Sequence, residues 1–346
     1  MQRTELLALL AALSVLPLAS RGRVVVLPIV GTAFLSAGLF WLARAGVPLF
    51  RPRELAPPGA VALVLLGAWM RIGLFPFHGY VPVLFERSHP SKAAVAFVAN
   101  PGMLILMRVL TESAWDLGIS GKVLMVVAAI SGLYAAFLCI GQSDLLRAVG
   151  FQAVASTSMI VAGLCSREEA GAFGAILHAT GSGLFVTGLA LVAWGVKARL
   201  GTSPGTATPG IASAAPHAAA AFLLFGLAAA GFPGTLGFVS EELLLHGVIE
   251  HHPVTGTLIV LTTALSAIAM LRLFFLVFYG APNTRGRSAA FAPTVPIDLF
   301  PREKLAFGAL LVVIFGLGVM PAPALSILHS VTDNSALHHQ QSGETP

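Results

Sequence analysis

Long apolar runs recur along the whole chain, and they constrain the fold more than any other feature. Only 10% of the 346 residues are charged and the mean hydropathy is +0.87, whereas a soluble domain carries about 25% charged residues. An apolar run of about 20 residues can cross a bilayer as a helix. A transmembrane β-barrel would alternate polar and apolar residues, which this chain does not do. The sequence therefore predicts an all-α polytopic membrane protein.

About ten membrane-spanning segments are predicted. They are residues 4–20, 24–44, 58–76, 92–111, 122–141, 146–165, 170–196, 217–245, 254–280 and 305–328. The first run follows Arg3 and ends at Ala19 and Ser20, so a signal peptide is an alternative interpretation of it. Arg21 and Arg23 come directly after the run, which favours a membrane span.

The predicted domain organisation is a single transmembrane domain over residues 1–330. Within it, residues 1–113 are interpreted as an incomplete first repeat, residues 114–281 as a second repeat and residues 304–330 as a terminal helix. Residues 331–346 are short of apolar side chains, so they are predicted to form a disordered tail.

The charges of the predicted loops indicate an orientation. When the loops are taken in alternation, one set carries eleven Lys and Arg residues and the other set carries five. The richer set contains Arg21, Arg23, Arg87, Lys92, Arg147, Lys197, Arg199, Arg285, Arg287, Arg302 and Lys304. Because cytoplasmic loops carry an excess of Lys and Arg, this set is predicted to be cytoplasmic, with both termini outside a bacterial-type inner membrane. The net charge of +5 is spread over loops, so no nucleic-acid partner is expected, and the apolar spans predict contact with the lipid bilayer.

Two of the predicted spans are interrupted. One carries Arg71 inside its apolar run, with Pro76 about one turn later, and the other breaks at Pro233 before Glu241 and Glu242. A charge inside a membrane span commonly marks an ion or proton pathway, and interrupted helices in corresponding positions of two halves point to a transport site in inverted repeats. The breaks fall in the third and eighth predicted spans, which favours inverted repeats of five helices. Two proline kinks that arose independently are the alternative, because the chain has 22 prolines.

Four stretches resemble a known family in their order and spacing. They are RIGLFPFHGYVP at 71–82 with SHPS at 88–91, DLLRAVG at 144–150, GFPGTLGFVSE at 231–241 and MLRLFF at 270–275. With these motifs the chain resembles the antiporter-like, proton-translocating membrane subunits of respiratory complex I (NADH:quinone oxidoreductase subunits L, M and N) and related cation antiporter subunits. The resemblance runs from the family's fifth to its fourteenth transmembrane helix, as in a divergent and N-terminally shortened relative.

The resemblance implies a proton path along charged residues near the bilayer midplane. The family's lysine in the first broken helix falls on Arg71, that of the next helix on Asn100 and that of the eleventh helix near Ser182. The charged residue of the second broken helix falls on Glu241, and a looser alignment sets the glutamate of the fifth helix at Glu5. Arginine cannot release its proton in a protein, whereas lysine can, so Arg71 is expected to be a fixed charge. The side chains of Asn100 and Ser182 can bind water but cannot titrate.

Two histidines within or beside the predicted spans extend this path. His78 lies just past the first break and His178 lies inside an apolar segment; both are candidate proton relays because histidine titrates near neutral pH. The alternatives are a cap for freed carbonyl groups at His78, packing at His178 and a snorkelling anchor at Arg71. Glu241 and Glu242 point about 100° apart on a helix, and Glu241 is predicted to face the bundle.

No redox centre, metal site or bound cofactor is expected in this chain. Cys139 and Cys165 are too few for iron–sulfur ligation, and neither GxGxxG after a strand nor HExxH occurs. The resemblance implies a translocase subunit of the NADH:quinone oxidoreductase type, which works with other membrane subunits of the same complex. The alternatives are a cation/proton antiporter or inorganic-carbon transport subunit of the same superfamily, or a degenerate structural subunit that no longer pumps.

Overall fold

The regular structure of the protein is helical. The computed structural model describes residues 26–46, 57–98, 100–111, 118–201, 210–279, 298–323 and 326. Their helices are α1 (Val26–Arg44), α2 (Pro58–Ile72), α3 (Tyr80–Arg87), α4 (Pro90–Val98), α5 (Pro101–Thr111), α6 (Gly118–Ile140), α7 (Leu145–Cys165), α8 (Glu169–Leu200), α9 (Pro216–Ala229), α10 (Leu236–Ile249), α11 (Pro253–Phe274), which a π-helical turn Phe275–Tyr279 extends, and α12 (Pro301–Val319). This confirms the predicted all-α fold. The first predicted span at 4–20, Glu5 and the tail 331–346 lie outside the described residues.

Six stretches of the described residues are long and apolar enough to cross a membrane. They are α1, Pro90–Met107, Ser120–Ile140, α7, α8 and Pro253–Tyr279. Two further apolar helices, α2 and α9, have only 15 and 14 residues. A helix of that length covers about 21–23 Å, which is less than the hydrocarbon core of about 30 Å. Each is followed by a break and a second helix, so the interruptions predicted at Pro76 and Pro233 both lie between two half-helices.

Helix α7 lies at the centre of the bundle. All of its residues except Arg147 are buried, and it packs against α3, α5, α6, α8, α10 and α11. Small residues allow this close packing: a Cβ atom at Gly150 would lie 2.4 Å from the Cα atom of Pro82 in α3. A helix that is buried on all sides has no solvent face. Helix α7 therefore contacts the half-helices that follow both breaks.

The first break begins earlier than the sequence predicts. Helix α2 ends at Ile72, and Gly73 follows in the left-handed conformation with a φ angle of 78°. Glycine adopts this conformation readily and is the usual residue after the end of a helix. Pro76 therefore lies inside the non-helical residues 73–79 rather than at the helix end. Residues 80–87, which lie in a predicted loop, form α3 instead.

The span predicted at residues 92–111 is two helices rather than one. Helix α4 ends at Val98 and α5 begins at Pro101. Proline lacks the N–H group that a continuous helix requires, and it disfavours helical geometry at the preceding residue, Asn100. The Asn100 side chain accepts a hydrogen bond from the backbone N–H of Gly102 (3.0 Å), which caps α5. The continuous apolar pattern hid this third interruption.

Charged side chains tie α12 to α8 at one end of the bundle. The Arg199 guanidinium at the end of α8 pairs with Glu303 in the first turn of α12. The same guanidinium lies 4.8 Å from the centre of the Phe300 ring, and Glu303 accepts the backbone N–H of Phe300 (2.8 Å). One carboxylate thus caps α12 and binds it to α8.

Asp298 holds the start of α9 from a distant part of the chain. Its carboxylate accepts the backbone N–H groups of His217 and Ala218, each at 3.1 Å, and pairs with the His217 imidazole. Partial burial opposes the charged form, but these hydrogen bonds outweigh it and hold the pKa of Asp298 below its ordinary value. A carboxylate at a helix N-terminus also interacts favourably with the helix dipole. Asp298 therefore positions the first half of the second broken helix.

Candidate functional site

The first break exposes the last carbonyl groups of α2, and neighbouring elements satisfy one of them. The backbone carbonyl of Arg71 accepts hydrogen bonds from the Asn100 side-chain amide (2.9 Å) and from the Tyr80 hydroxyl. The end of a helix leaves such carbonyl groups without partners in the helix itself, and inside a membrane they must be satisfied by the protein or by water. Asn100 and Tyr80 therefore stabilise the break, and Asn100 caps α5 with its other atom.

The Arg71 side chain lies inside the bundle. Only 3% of the residue is exposed, and together with Tyr80, Phe97 and Asn100 it lines a small cavity beside α3. Its burial argues against the snorkelling anchor that was the alternative for this residue. Because the guanidinium keeps its proton, the arrangement supplies a permanent positive charge at the last turn of α2, where the helix dipole favours one.

His78 lies in the same break but faces another helix. Its ring is half-buried and meets the Tyr134 ring of α6 edge-on, with 5.2 Å between the ring centres. Two hydrogen bonds hold the backbone of Phe75 beside it: Trp69 Nε1 donates to its carbonyl (2.9 Å), and its N–H donates to Ser131 Oγ of α6 (2.8 Å). The partners described for Arg71 come from α3 and from Asn100, whereas His78 contacts α6. The structure therefore places these two predicted site residues on different sides of the break.

The second break brings a carboxylate against backbone. Helix α9 ends at Ala229, and Gly231 has a φ angle of 65°. A Cβ atom at Gly231 would lie 2.3 Å from Oε2 of Glu241, so only glycine leaves room for this carboxylate. The Thr263 hydroxyl of α11 hydrogen-bonds to Glu241. The break thus forms a seat for one acidic group between α9, α10 and α11.

The two adjacent glutamates differ in their surroundings. Glu241 is half-buried and points back to Gly231 and Thr263, whereas Glu242 is exposed. Both line a cavity of about 300 Å³ between α10 and α11. The inward direction predicted for Glu241 agrees with these contacts. A carboxyl group can take up and release a proton, so Glu241 has the chemistry that a translocation site requires.

A buried histidine adjoins the same broken helix. His178 in α8 is 0% exposed, and its Nδ1 atom lies 3.0 Å from Oγ of Ser240 in α10. When the Ser240 hydroxyl donates its single hydrogen to the carbonyl of Gly237 (2.9 Å), its oxygen accepts a hydrogen bond from the Nδ1–H of His178. The neutral imidazole then has its proton on Nδ1, and Nε2 is left as an acceptor.

Ser182 is close to His178 but has a local hydrogen bond. It is 1% exposed, lies about one turn further along α8, and donates its hydroxyl to the carbonyl of Ala179 (3.1 Å). This bond leaves the Ser182 oxygen able to accept one from water. The predicted residues therefore fall into two groups: Arg71, Asn100 and His78 at the first break, and Glu241 with the His178 region at the second.

Three residues of these sites are absent from the sequence-based prediction. Tyr80 was assigned to a loop, Thr263 lies in an apolar span, and Gln152 lies in the buried helix α7, where its side-chain amide donates to the Ala229 carbonyl (3.2 Å). Gln152 had one visible signal, since it is an amide within an otherwise apolar run. Among the described residues, no cluster of three His, Cys, Asp or Glu side chains could hold a metal ion.

A family model and several curated proteins match the sequence of this chain. Residues 49–266 match the family model described as NADH:quinone oxidoreductase/Mrp antiporter, transmembrane. NADH-quinone oxidoreductase subunit M of Mycobacterium tuberculosis is 27% identical over 311 residues, which cover 88% of this chain and 55% of that protein. Subunit N of Desulforudis audaxviator is 31% identical over 198 residues, which cover 55% of this chain and 39% of that one. The chain thus spans about half the length, or less, of these curated relatives.

Solved structures show the same fold. A chain of respiratory complex I from Thermus thermophilus superposes with a TM-score of 0.77 at 26% identity, covering 90% of this chain and 69% of that one. A chain of the Mrp complex from Dietzia shares the fold, with a TM-score of 0.75 at 19% identity over 86% of this chain and 64% of that one. The family match covers more than half of the sequence, and this multi-pass membrane protein belongs to the NADH:quinone oxidoreductase/Mrp antiporter transmembrane family.

Proposed function

We propose that this chain is a proton-translocating membrane subunit of a complex I-like NADH:quinone oxidoreductase. The observation that carries the proposal is the seat of Glu241, which combines a broken helix, a glycine that makes room for the carboxylate and a hydroxyl partner from α11. Broken helices in membrane transporters are tolerated where they line a cavity and bind the transported ion. Glu241 is the group that would carry the proton at this point.

The neighbouring groups have supporting roles in this mechanism. His178 lies on α8 with its Nδ1 atom bonded to Ser240 of the second half-helix, so it could pass a proton to or from the region of Glu241 through water. Arg71 contributes a fixed positive charge at the first break, and it influences the proton path without carrying a proton itself. Redox chemistry would belong to other subunits of the assembly.

A structural subunit without pumping is the second candidate, and Asn100 favours it. Asn100 stands at the position of a family lysine, and both ends of its side chain are engaged, one with the Arg71 carbonyl and one with the Gly102 N–H. This residue therefore stabilises two helix ends and does not titrate. The resemblance sets family lysines at Arg71 and Asn100, neither of which releases a proton, whereas the second break keeps a carboxylate.

A transport assay with the native assembly separates these functions. The chain is purified with its native partners and reconstituted into closed vesicles that contain a pH-sensitive dye. NADH with a quinone should drive proton movement, and the protons moved per NADH should fall when this chain is omitted from the assembly. Proton movement that needs only a sodium gradient would identify an antiporter instead. An unchanged number of protons per NADH without the chain would identify a structural subunit.

The orientation is a further expectation that can be measured directly. The excess of Lys and Arg in one set of loops predicts that residues 281–303 lie in the cytoplasm and both termini outside. A reporter that is active only in the cytoplasm should be silent when it is fused after residue 346 and active when it is inserted in the 281–303 segment. The reverse pattern would show that the orientation is wrong.

A further inference from the structure

Gln152 is a buried polar residue that has no role in the predicted sites or in the proposed proton path. It lies in α7, the helix at the centre of the bundle, and only 2% of the residue is exposed. Its Nε2 atom donates a hydrogen bond to the carbonyl of Ala229 (3.2 Å), the last residue of α9. The two residues are 77 positions apart in the chain, so this bond depends on the packing of α7 against the break.

The bond gives Gln152 a role in the shape of the second break. Helix α9 ends at Ala229, and its last carbonyl groups have no partners further along the same helix. The Ala228 carbonyl lies so close to α10 that a Cβ atom at Gly237 would be 2.0 Å from its oxygen. Gln152 satisfies the next carbonyl from outside the broken helix. It therefore holds the end of α9 against α7 while α10 packs on the adjacent carbonyl.

The other end of the Gln152 amide needs a donor. Its Oε1 atom is buried and has no hydrogen-bond partner among the described residues, and the same is true of Nε2 of His178. When the Ser240 hydroxyl donates to Gly237, a neutral His178 ring carries its proton on Nδ1, and Nε2 is then an acceptor as well. Two buried acceptors without donors are costly. Water supplies two O–H donors and accepts in return, and buried water commonly satisfies such groups.

We propose that Gln152 is a positioning residue of the second break, whose amide N–H fixes the end of α9 and whose Oε1, like Nε2 of His178, binds water that conducts protons between α8 and the break. This inference rests on the proposed function, because it places a further residue on the same proton path. It makes α7 part of that path, although α7 carries no titratable group between Arg147 and Cys165.

The test measures proton translocation at several pH values by the native assembly in vesicles. Gln152→Met keeps the length of the side chain and removes both polar ends, so translocation should fall by about tenfold. Gln152→Glu can both donate to the Ala229 carbonyl and accept from water only while its carboxyl is protonated, because the ionised group cannot donate. Relative to wild type, its rate should be retained at the acid end and should decline as the pH rises.

Thr157→Val is the matched control on the same buried helix. The Thr157 hydroxyl donates to the carbonyl of Ala153 within α7, so this variant should translocate within about twofold of wild type. The proposal is overturned if Gln152→Met matches wild type, or if Thr157→Val loses as much as Gln152→Met does. Should Gln152→Met fail to assemble, the test is the translocation rate of Gln152→Glu divided by that of wild type. A decline of this ratio with rising pH supports the proposal, and a constant ratio overturns it.

Glu241→Gln in the same assay separates this inference from the proposed function. An inactive Glu241→Gln beside a normal Gln152→Met would reject only the role of Gln152. Normal translocation by Glu241→Gln would reject the proposed function itself.

Discussion

Replacing Glu241 with glutamine is expected to reduce proton translocation by the assembly by at least about tenfold, in line with the loss of a positioned proton-transfer group. Glutamine preserves the shape of the side chain and can still accept a hydrogen bond from Thr263, but it cannot take up and release a proton. The seat formed by Gly231 and Thr263 accommodates the amide, so the complex should still assemble. The measurement is NADH-driven proton uptake into vesicles, compared with the yield of intact complex.

Glu242→Gln is the matched control, because it changes the adjacent residue in the same way. Glu242 is exposed, and the side-chain atoms nearest to Gly231 belong to Glu241, so proton uptake should stay close to wild type. An equal loss in both variants would show that either carboxylate can serve. A loss in Glu242→Gln alone would show that the proton carrier had been assigned to the wrong glutamate.

Gly231→Ala tests the geometry of the seat without altering the carboxylate. The added Cβ atom would lie 2.3 Å from Glu241 Oε2, at a backbone φ of 65° that side chains rarely adopt. Glu241 must move, so this variant should resemble Glu241→Gln in transport. Full activity in Gly231→Ala would mean that the contact between Gly231 and Glu241 has no role in proton transfer.

The existence of both broken helices could be predicted from sequence, but their ends could not. Arg71 with Pro76, and Pro233 with Glu241, interrupt apolar runs, and the order of residues alone shows these interruptions. The end of α2 depends on Gly73, whose left-handed conformation is one of several that glycine permits. The interruption at Pro101 was hidden because Asn100 is a single polar residue in an apolar run. A single residue of this kind gives no periodic signal.

The partners of the breaks depend on tertiary packing and could not be predicted. Gln152 and Thr263 become important only because α7 and α11 face the end of α9. The family resemblance pointed to Arg71 and Glu241, and in the structure these residues lie beside the two breaks, Arg71 buried and Glu241 half-buried. It could not reveal that Asn100 serves as a hydrogen-bonding support, because that role follows from distances of 2.9 and 3.0 Å to two helix ends.

Arg71→Ala is expected to impair assembly as well as transport. Arg71 is almost fully buried at the last turn of α2, and its Cβ and Cγ atoms pack against Gly102, where an added Cβ would lie 2.9–3.0 Å away. Truncating a large buried side chain costs about 2–5 kcal/mol. The same change removes a positive charge that the helix dipole favours at this position. The yield of intact complex and its thermal midpoint should both fall, and proton uptake should fall with them.

Arg71→Lys and Arg71→Met separate charge from packing. Lysine keeps the positive charge, restores the residue type that the family resemblance implies and can release its proton, so proton uptake should be retained or increased. Methionine fills similar space without the charge, so assembly should recover more than transport if the charge belongs to the proton path. If Arg71→Met assembles and transports as well as wild type, the charge has no role. If Arg71→Ala also does so, the segment from Ala68 to Pro82 is only a kinked pair of helices with a buried arginine.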